Sequence, residues 1–269
     1  MTAPSLVLLG YGGPDQRVPQ VSHQIRDGLL EIRPELDVHL AFLDHSGPGG
    51  MPVINRLVSQ GVREIVLVPL LLSDAFVAPP AVPALVAQAA AAHPGLRITA
   101  SRPLGPEAPL LAIVDRRLRD ALRARRVSEL DGLVFAAAGS SDVRSNALVA
   151  RRARQWSSHH KLPCVVAFAT GSGPSTAEAI RTLRAQGRRH IAVGSWFLAP
   201  GVLYSHQAQL ALESGAVAVS APMGGEPEVT EVALTRYVVA AMDLVDVDEG
   251  AVGDDLEPAR FRHLAVVSA

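Results

Sequence analysis

The sequence has few of the residues that mark several common protein classes. It contains a single cysteine, Cys164, among 269 residues, which excludes an internal disulfide framework and favours a reducing compartment. Aromatic residues make up only 4% while hydrophobic residues make up 48%, so the core must be built from aliphatic side chains. The formal net charge of -1 provides no broad field that would attract nucleic acid.

Long apolar runs are missing as well. The first one, Leu6 to Leu9, has the length of a β-strand, and no stretch reaches the roughly 18 apolar residues that a membrane helix needs. The N-terminal residues also lack the basic start and the long apolar segment of a signal peptide. We therefore expect a soluble, cytoplasmic protein with no membrane contact and no nucleic-acid partner.

What the sequence does contain is an alternation of short β-rich runs with longer helical patterns. This alternation is typical of an α/β fold in which helices flank parallel sheets. A helix is predicted after each strand, and the order restarts near the middle of the chain. The predicted strands are Ser5–Leu9, Asp37–Phe42, Glu64–Leu70, Leu96–Ala100, Gly132–Ala137, Cys164–Ala167, His190–Ser195 and Ala216–Ser220.

Three sequence segments of the first half also match segments of the second half. The matches keep their order at offsets close to half the chain, which predicts an internal duplication into two similar lobes, each with a sheet of about four strands. We predict lobes at residues 1–125 and 126–242, followed by an acidic and then mixed tail, 243–269, that is poorly ordered. The matching segments are LVLLGYGGPD with VFAAAGSSD, GVREIVLVPLLL with GRRHIAVGSWFL, and PLGPEAPLLAIVDRRLRDAL with PMGGEPEVTEVALTRYVVAAM.

Four loops that follow predicted strands have an unusual composition. They are Tyr11–Asp15, Ser73–Pro80, Gly139–Asp142 and Phe197–Gly201. Ligands of parallel α/β sheets bind beyond the carboxyl ends of the strands, and glycines let the backbone come close to them. In the alternative interpretation these residues only form tight turns, with Asp15 and Asp142 as helix caps. The sequence has no phosphate-binding glycine motif, no zinc-ligand spacing and no hydrolase nucleophile motif.

The order of several segments resembles the sirohydrochlorin chelatases, the class II tetrapyrrole chelatases, in their long form with two fused halves. The resemblance runs over about residues 4–242. It rests on GGPD after the first strand, LAFLDHSGPG, GVREIVLVPLLLS and RPLGPEAPLL in the first half, and on FAAAGSSD, GSWFLAPG and APMGGEPE in the second.

This resemblance implies insertion of Fe²⁺ or Co²⁺ into sirohydrochlorin or a related tetrapyrrole, without ATP, for siroheme or cobalamin biosynthesis. The metal ion is then a substrate, and no tightly bound cofactor is expected. We expect the substrate to bind in a cleft between the two lobes. Because both halves are fused, a monomer would supply the whole of that cleft.

The chain departs from the family pattern at two places. The family carries a metal-binding histidine after the first strand, where this sequence has Tyr11, with Ala138 at the matching place of the second half. A second histidine is usual in the region of Asp74 to Val77. These departures motivate the alternative of a non-catalytic tetrapyrrole- or metal-binding carrier. An unrelated small-molecule enzyme on the same fold is a third alternative.

A local likeness to the ferrochelatases suggests which residues replace the histidines. It consists of LLGYGGPD and of the Pro-Gly-x-x-x-x-His spacing from Pro200 to His206. Arg144, beside the second glycine-serine loop, is a candidate for gripping a substrate carboxylate. Trp196 and Phe197 either form a flat wall of the cleft or pack in the core. The candidate catalytic residues are His206, Asp74 and Tyr11, the candidate metal ligands are His206, His45, Tyr11 and Asp74, and the candidate substrate-binding residues are Gly12, Gly13, Ser140, Ser141, Arg144, Pro200 and Gly201.

Overall fold

The first half of the chain forms four strands and four helices in strict alternation. A computed structural model describes residues 3–11, 15, 17–43, 47–73, 81–171 and 173–249. The strands are short and rich in Val, Leu and Ile, as expected for strands covered on both faces. In chain order the elements are β1 (Ser5–Gly10), α1 (Arg17–Ile32), β2 (Val38–Phe42), α2 (Gly50–Ser59), β3 (Glu64–Pro69), α3 (Ala81–Ala92), β4 (Arg97–Ala100) and α4 (Leu111–Ala124).

The second half repeats this pattern. Each predicted strand is present, with ends that differ from the prediction by a few residues, and a helix follows each strand as predicted. The elements are β5 (Gly132–Ala137), α5 (Val143–His160), β6 (Cys164–Phe168), α6 (Thr176–Ala185), β7 (Ile191–Trp196), α7 (Val202–Glu213), β8 (Ala218–Val219) and α8 (Pro227–Glu249).

The two sheets have the same topology. The strand order is β2-β1-β3-β4 in the first sheet and β6-β5-β7-β8 in the second. All paired strands are parallel. The central strands β1 and β5 are buried along their full length, as a layer of helices on each face requires. The predicted α/β fold with two similar lobes is therefore confirmed.

The last helix of each half packs on the sheet of the other half. Helix α4 contacts β7 and β8, whereas α8 contacts β3 and β4. Close approach at β7 depends on Gly194, because a Cβ there would lie 2.5 Å from Trp156 Cη2 and 2.9 Å from Val114 Cγ1. On the other sheet, the Tyr237 hydroxyl of α8 donates to the carbonyl of Pro4 at 2.7 Å. The two halves thus exchange a helix.

Ion pairs connect the two exchanged helices, α4 and α8, and the residues that precede each of them. Arg116 Nη2 lies 2.7 Å from Glu226 Oε2, and Arg116 Nη1 lies 2.8 Å from Glu228 Oε1. Arg117 Nη2 lies 2.6 Å from the other oxygen of Glu226. Arg236 pairs in the same way with Glu107. These contacts join residues of the first predicted lobe to residues of the second.

The start of the predicted tail is helical instead of poorly ordered. Helix α8 continues to Glu249. Leu244 is buried in the core, and its carbonyl accepts a hydrogen bond from Arg97 Nη1 at 3.0 Å. The acidic composition suggested a solvated segment, but the apolar positions of α8 still reach the first sheet. Residues 250–269 lie outside the described residues. Among the helices that the structure describes, none has both the length and the apolar character of a membrane span.

Candidate active site

A cavity of about 360 Å³ lies between the two halves. Its walls come from the carboxyl ends of β1, β3, β5 and β7 and from the first turns of α1 and α7, which is where parallel α/β sheets bind ligands. The volume lies within the range of small-molecule sites. We call this cavity the cleft. It is lined by Gly10, Tyr11, Asp15, Val18, Val21, Ser22, Leu70, Leu71, Leu72, Ser73, Ala138, Trp196, Phe197, Leu198, Ala199, Pro200, Gly201, Val202, Leu203 and Tyr204.

Aromatic and aliphatic side chains form the inner surface of the cleft. Trp196 and Phe197 are buried and also line it, so the pair belongs both to the core and to the wall of the cleft. The Trp196 ring packs on Phe135 with 5.3 Å between ring centroids, and Phe197 meets Tyr204 edge to face at 5.8 Å. Trp196 Nε1 is buried and has no hydrogen-bond partner among the described residues. The inner wall of the cleft is therefore mostly apolar. The indole N–H of Trp196 is a hydrogen-bond donor buried in this wall.

A carboxylate and a guanidinium meet where α1 begins. Asp15 Oδ1 accepts hydrogen bonds from the backbone N–H and from Nε of Arg17, each at 3.0 Å, and its Oδ2 accepts from Arg17 Nη2 at 2.6 Å. These hydrogen bonds lower the pKa of Asp15 to about 2. Asp15 therefore supports the start of the helix, as the capping interpretation predicted. It also brings a carboxylate to the cleft that is ionised at neutral pH.

Two tyrosines from opposite halves also line the cleft. Tyr11 follows β1 and is 41% exposed, which fits a residue that faces a ligand. Tyr204 lies in the first turn of α7, and its hydroxyl donates to the carbonyl of Ser220 at 3.2 Å. Burial raises the pKa of Tyr204, so its phenol stays protonated at neutral pH.

Of the residues predicted to bind substrate, the structure places Pro200 and Gly201 in the cleft together with Tyr11. Both residues lie at the start of α7 and bring its backbone to the cavity wall. The sequence reasoning missed Leu203 and Tyr204, which follow in the first turn of the same helix. The signal was available, because the first turn after a strand-to-helix loop faces the same edge of the sheet as the loop itself.

The second glycine-serine loop has a structural role. Ser140 is buried, and its hydroxyl accepts a hydrogen bond from the backbone N–H of Asp142 at 2.8 Å. Asp142 caps α5 by accepting from the N–H groups of Arg144 and Ser145 at 3.1 and 3.0 Å, as the capping interpretation predicted. Ser141 and Arg144 are exposed, and neither they nor Ser140 are among the residues that line the cleft.

His206 lies on α7 beyond the residues that line the cleft. It is exposed and does not line the cavity. It comes one helical turn after Val202, which does line it, so the two side chains lie on the same face of α7. The remaining candidates, Gly12, Gly13, His45 and Asp74, lie outside the described residues.

Comparison with known proteins identifies the family. The CbiX family model matches residues 5–121 and again residues 132–240, once for each half. The chain belongs to the CbiX family. The two CbiX matches coincide with the two repeats of sheet topology, which confirms the sequence resemblance and the duplication. No curated protein sequence matches the chain at a significant level.

Solved structures with the same fold include chelatases. SirB from Bacillus subtilis, solved with Fe³⁺, superposes with a TM-score of 0.71 at 22% identity, over 91% of this chain and 98% of that protein. CbiX, described as the terminal enzyme for biosynthesis of siroheme in denitrifying bacteria, gives a TM-score of 0.63 at 20% identity, over 88% and 99%. At these identities the likeness establishes the fold of this CbiX member.

Proposed function

We propose that this protein inserts a divalent metal ion into a sirohydrochlorin-type tetrapyrrole held in the cleft between its two halves. The observation that carries the proposal is the position of the cleft. The carboxyl ends of both sheets contribute to one cavity, in a chain that belongs to the CbiX family over both halves. Structural neighbours in this family were solved with Fe³⁺ and with cobalt.

The lining of the cleft suits one face of a macrocycle. A tetrapyrrole has a flat apolar face and a periphery of carboxylates. Leu71, Phe197 and Leu198 offer apolar contact to the face, while the periphery reaches the rim, where it stays solvated. Trp196 Nε1 lacks a partner among the described residues and would donate to a ligand atom if the ring shifts, since a buried donor without a partner is costly.

The reaction exchanges one divalent ion for two protons on the pyrrole nitrogens. Asp15 is a poor proton acceptor, because its pKa is about 2, and Tyr204 is protonated at neutral pH. In the proposal, Asp15 supplies negative charge to the cleft and Tyr204 contributes to the shape of its wall. Tyr11 approaches the cleft from β1, at the place where the family usually has histidine. We assign Tyr11 to hold the metal ion as it enters the macrocycle.

The other predicted site residues stay part of the proposal. Asp74 and His45 would supply a carboxylate and an imidazole from loops that follow β3 and β2, and both groups suit divalent transition metals. His206 would deliver the metal or accept a proton from the rim. Gly12, Gly13, Pro200 and Gly201 would let the backbone approach the macrocycle. Ser140, Ser141 and Arg144 would act only if substrate extends beyond the described cavity.

Anaerobic absorption spectroscopy of the purified chain with sirohydrochlorin and either Co²⁺ or Fe²⁺ tests the proposal. We expect the spectrum of the metallated product to appear faster than without protein. Tyr11→Phe keeps the ring and removes the hydroxyl, so it should lower the insertion rate and leave macrocycle affinity unchanged. His206→Ala tests delivery from the rim in the same assay. Insertion at the uncatalysed rate would contradict the chelatase proposal.

One observation favours a second candidate, a tetrapyrrole- or metal-binding carrier. No histidine is among the described residues that line the cleft. In a carrier the macrocycle binds tightly without faster metal insertion. The same titration separates the two candidates, since binding without acceleration supports the carrier and acceleration supports the chelatase. If the protein neither binds the macrocycle nor accelerates metal insertion, an unrelated reaction on the same fold is favoured.

A further inference from the structure

A cluster of two histidines and one aspartate lies outside the cleft, where α4 of the first half meets α5 of the second. His160 Nε2 lies 2.6 Å from Asp115 Oδ1, and His159 Nε2 lies 3.9 Å from Asp115 Oδ2. One ligand atom from each residue falls within 4.8 Å of the others. The proposed insertion reaction uses none of these residues.

The carboxylate of this cluster is buried and held in place. Asp115 is 9% exposed. Its Oδ1 accepts a hydrogen bond from Trp156 Nε1 at 2.6 Å, and Trp156 is itself in the core. The Trp156 ring also packs edge to face on His160, with 5.3 Å between ring centroids. Packing therefore fixes both Asp115 and His160 before any ligand arrives.

The outer side of the cluster is open to solvent. The side chain of His159 is 72% exposed. Arg119 Nη2, on an exposed side chain, approaches Asp115 Oδ2 at 3.6 Å, longer than a hydrogen bond. A cation that reached Oδ2 from solvent would displace this guanidinium, because the Arg119 side chain is 61% exposed and its contact with Asp115 is long.

We propose that Asp115, His159 and His160 bind one divalent transition-metal ion, such as Zn²⁺, Co²⁺ or Ni²⁺. Imidazole nitrogens and a carboxylate oxygen are ligands that these ions prefer. With metal-ligand bonds of about 2.0–2.2 Å, tetrahedral coordination places ligand atoms roughly 3.4 Å apart. One ligand atom from each of the three residues already lies within 4.8 Å of the others, so rotations of the side chains would bring them to that spacing.

Other features of the helices support a cation at this place. The two histidines lie in the last turn of α5, where the helix dipole favours positive charge. Metal binding would replace the hydrogen bond between His160 and Asp115. The Trp156 N–H would remain on the carboxylate and orient it, as partners of metal ligands commonly do. Water would complete the coordination on the exposed side.

The site shares no residue with the cleft, because none of its three proposed ligands is among the residues that line it. Successive ring contacts lead from Trp196, which lines the cleft, through Phe135 and Trp156 to His160, with centroid separations of 5.3, 5.6 and 5.3 Å. Core side chains therefore separate the proposed ion from the metal substrate. The proposed ion would also join α4 to α5, and thereby one half of the chain to the other. Metal binding should for this reason raise the thermal midpoint.

Titration of the full chain with Co²⁺ tests this site, followed by visible absorption and by thermal unfolding. We expect His159→Gln and His160→Gln each to weaken the binding of one Co²⁺ by at least about tenfold and to remove most of the thermal shift. His159→Gln is safe for folding, because the side chain is exposed. His23→Gln, an exposed histidine on α1, is the matched control and should bind as the wild type does.

Arg119→Gln gives a second readout with the opposite sign. Since Arg119 competes with the ion for Asp115 Oδ2, its removal should increase Co²⁺ affinity. Cobalt bound in the cleft contributes equally to all these variants and cancels in the comparison. Equal affinity and equal thermal shift in wild type, His159→Gln and His160→Gln would overturn the proposal.

Discussion

Arg17 Nη2 lies 2.6 Å from Asp15 Oδ2 at the edge of the cleft, so a carboxylate that lines the cleft already has a cation beside it. The pair lies where the chain passes from β1 to α1. Its effect is to keep Asp15 ionised while neutralising much of its charge. In the proposed reaction, a divalent metal ion entering the cleft would therefore meet a weaker field than a lone aspartate would provide.

Replacing Arg17 should change the titration of Asp15. In Arg17→Gln the pKa of Asp15 should rise from about 2 part of the way to its ordinary value of 3.8, because the backbone N–H of residue 17 still donates. The stabilising effect of the native pair is present above about pH 4 and is lost as the pH falls towards 2. Carboxyl NMR titration measures the pKa. Thermal midpoints should differ between wild type and variant near neutral pH and converge near pH 2. A pKa that stays near 2 in the variant would show that the guanidinium is not the cause.

A glycine behind the cleft wall should tolerate no side chain. A Cβ on Gly105 would lie 2.6 Å from the carbonyl oxygen of Leu72 and 2.9 Å from its Cα, and Leu72 lines the cleft. Gly105→Ala should therefore destabilise the protein by about 1–3 kcal/mol, as over-packing does, and should weaken macrocycle binding. The control is Gly95→Ala, where nothing lies within 4 Å. Urea denaturation of both variants checks the difference, and equal stability would contradict the packing argument.

Most of the fold could be predicted from the sequence because each strand is a short aliphatic run bounded by turn residues. Cys164 to Phe168 and Ile191 to Trp196 are examples. The duplication also predicts that the two halves share one topology, which the matching strand orders of the two sheets confirm. The helix exchange could not be predicted. Ile113, Val114 and Leu118 show that α4 has an apolar face, but periodicity does not indicate which sheet covers that face.

The cleft could be predicted only in part. Tyr11, Pro200 and Gly201, which were chosen because they follow parallel strands, do line the cleft, and the roles assigned to them stay predictions. The same rule placed Ser140 and Arg144 there, whereas Ser140 supports its own loop and Arg144 points to solvent. Both residues follow a strand, and hydrogen bonds to neighbouring backbone groups decide which way such a loop turns. These bonds are not visible in the order of residues.

The exchanged helices predict that neither half is stable alone. If the chain is cut between Ser128 and Glu129, each fragment exposes the sheet face that a helix of the other half covers. We expect the separate fragments to aggregate or remain unfolded, and their mixture to form a folded 1:1 complex. Size-exclusion chromatography with light scattering, together with circular dichroism, measures this. A folded monomeric first fragment would contradict the exchange.

Cys164 should be unreactive in the folded protein. Burial raises the pKa of its thiol to about 12, and the thiolate is the reactive form. A chromogenic disulfide reagent at pH 8 should therefore label the native chain very slowly and the urea-unfolded chain at once. Rapid labelling without denaturant would show that the edge of the second sheet at β6 opens readily.

The central claim is that a tetrapyrrole receives its metal in the cleft between the halves, and a block in that cleft tests it most directly. Ala199 lines the cleft, while Ala147 is an exposed residue of α5. The measurement is the initial rate of Co²⁺ insertion into sirohydrochlorin for Ala199→Phe and Ala147→Phe, at equal thermal stability. The account predicts a fall of tenfold or more, about 1.4 kcal/mol, for Ala199→Phe alone. Equal catalysed rates in both variants would contradict it.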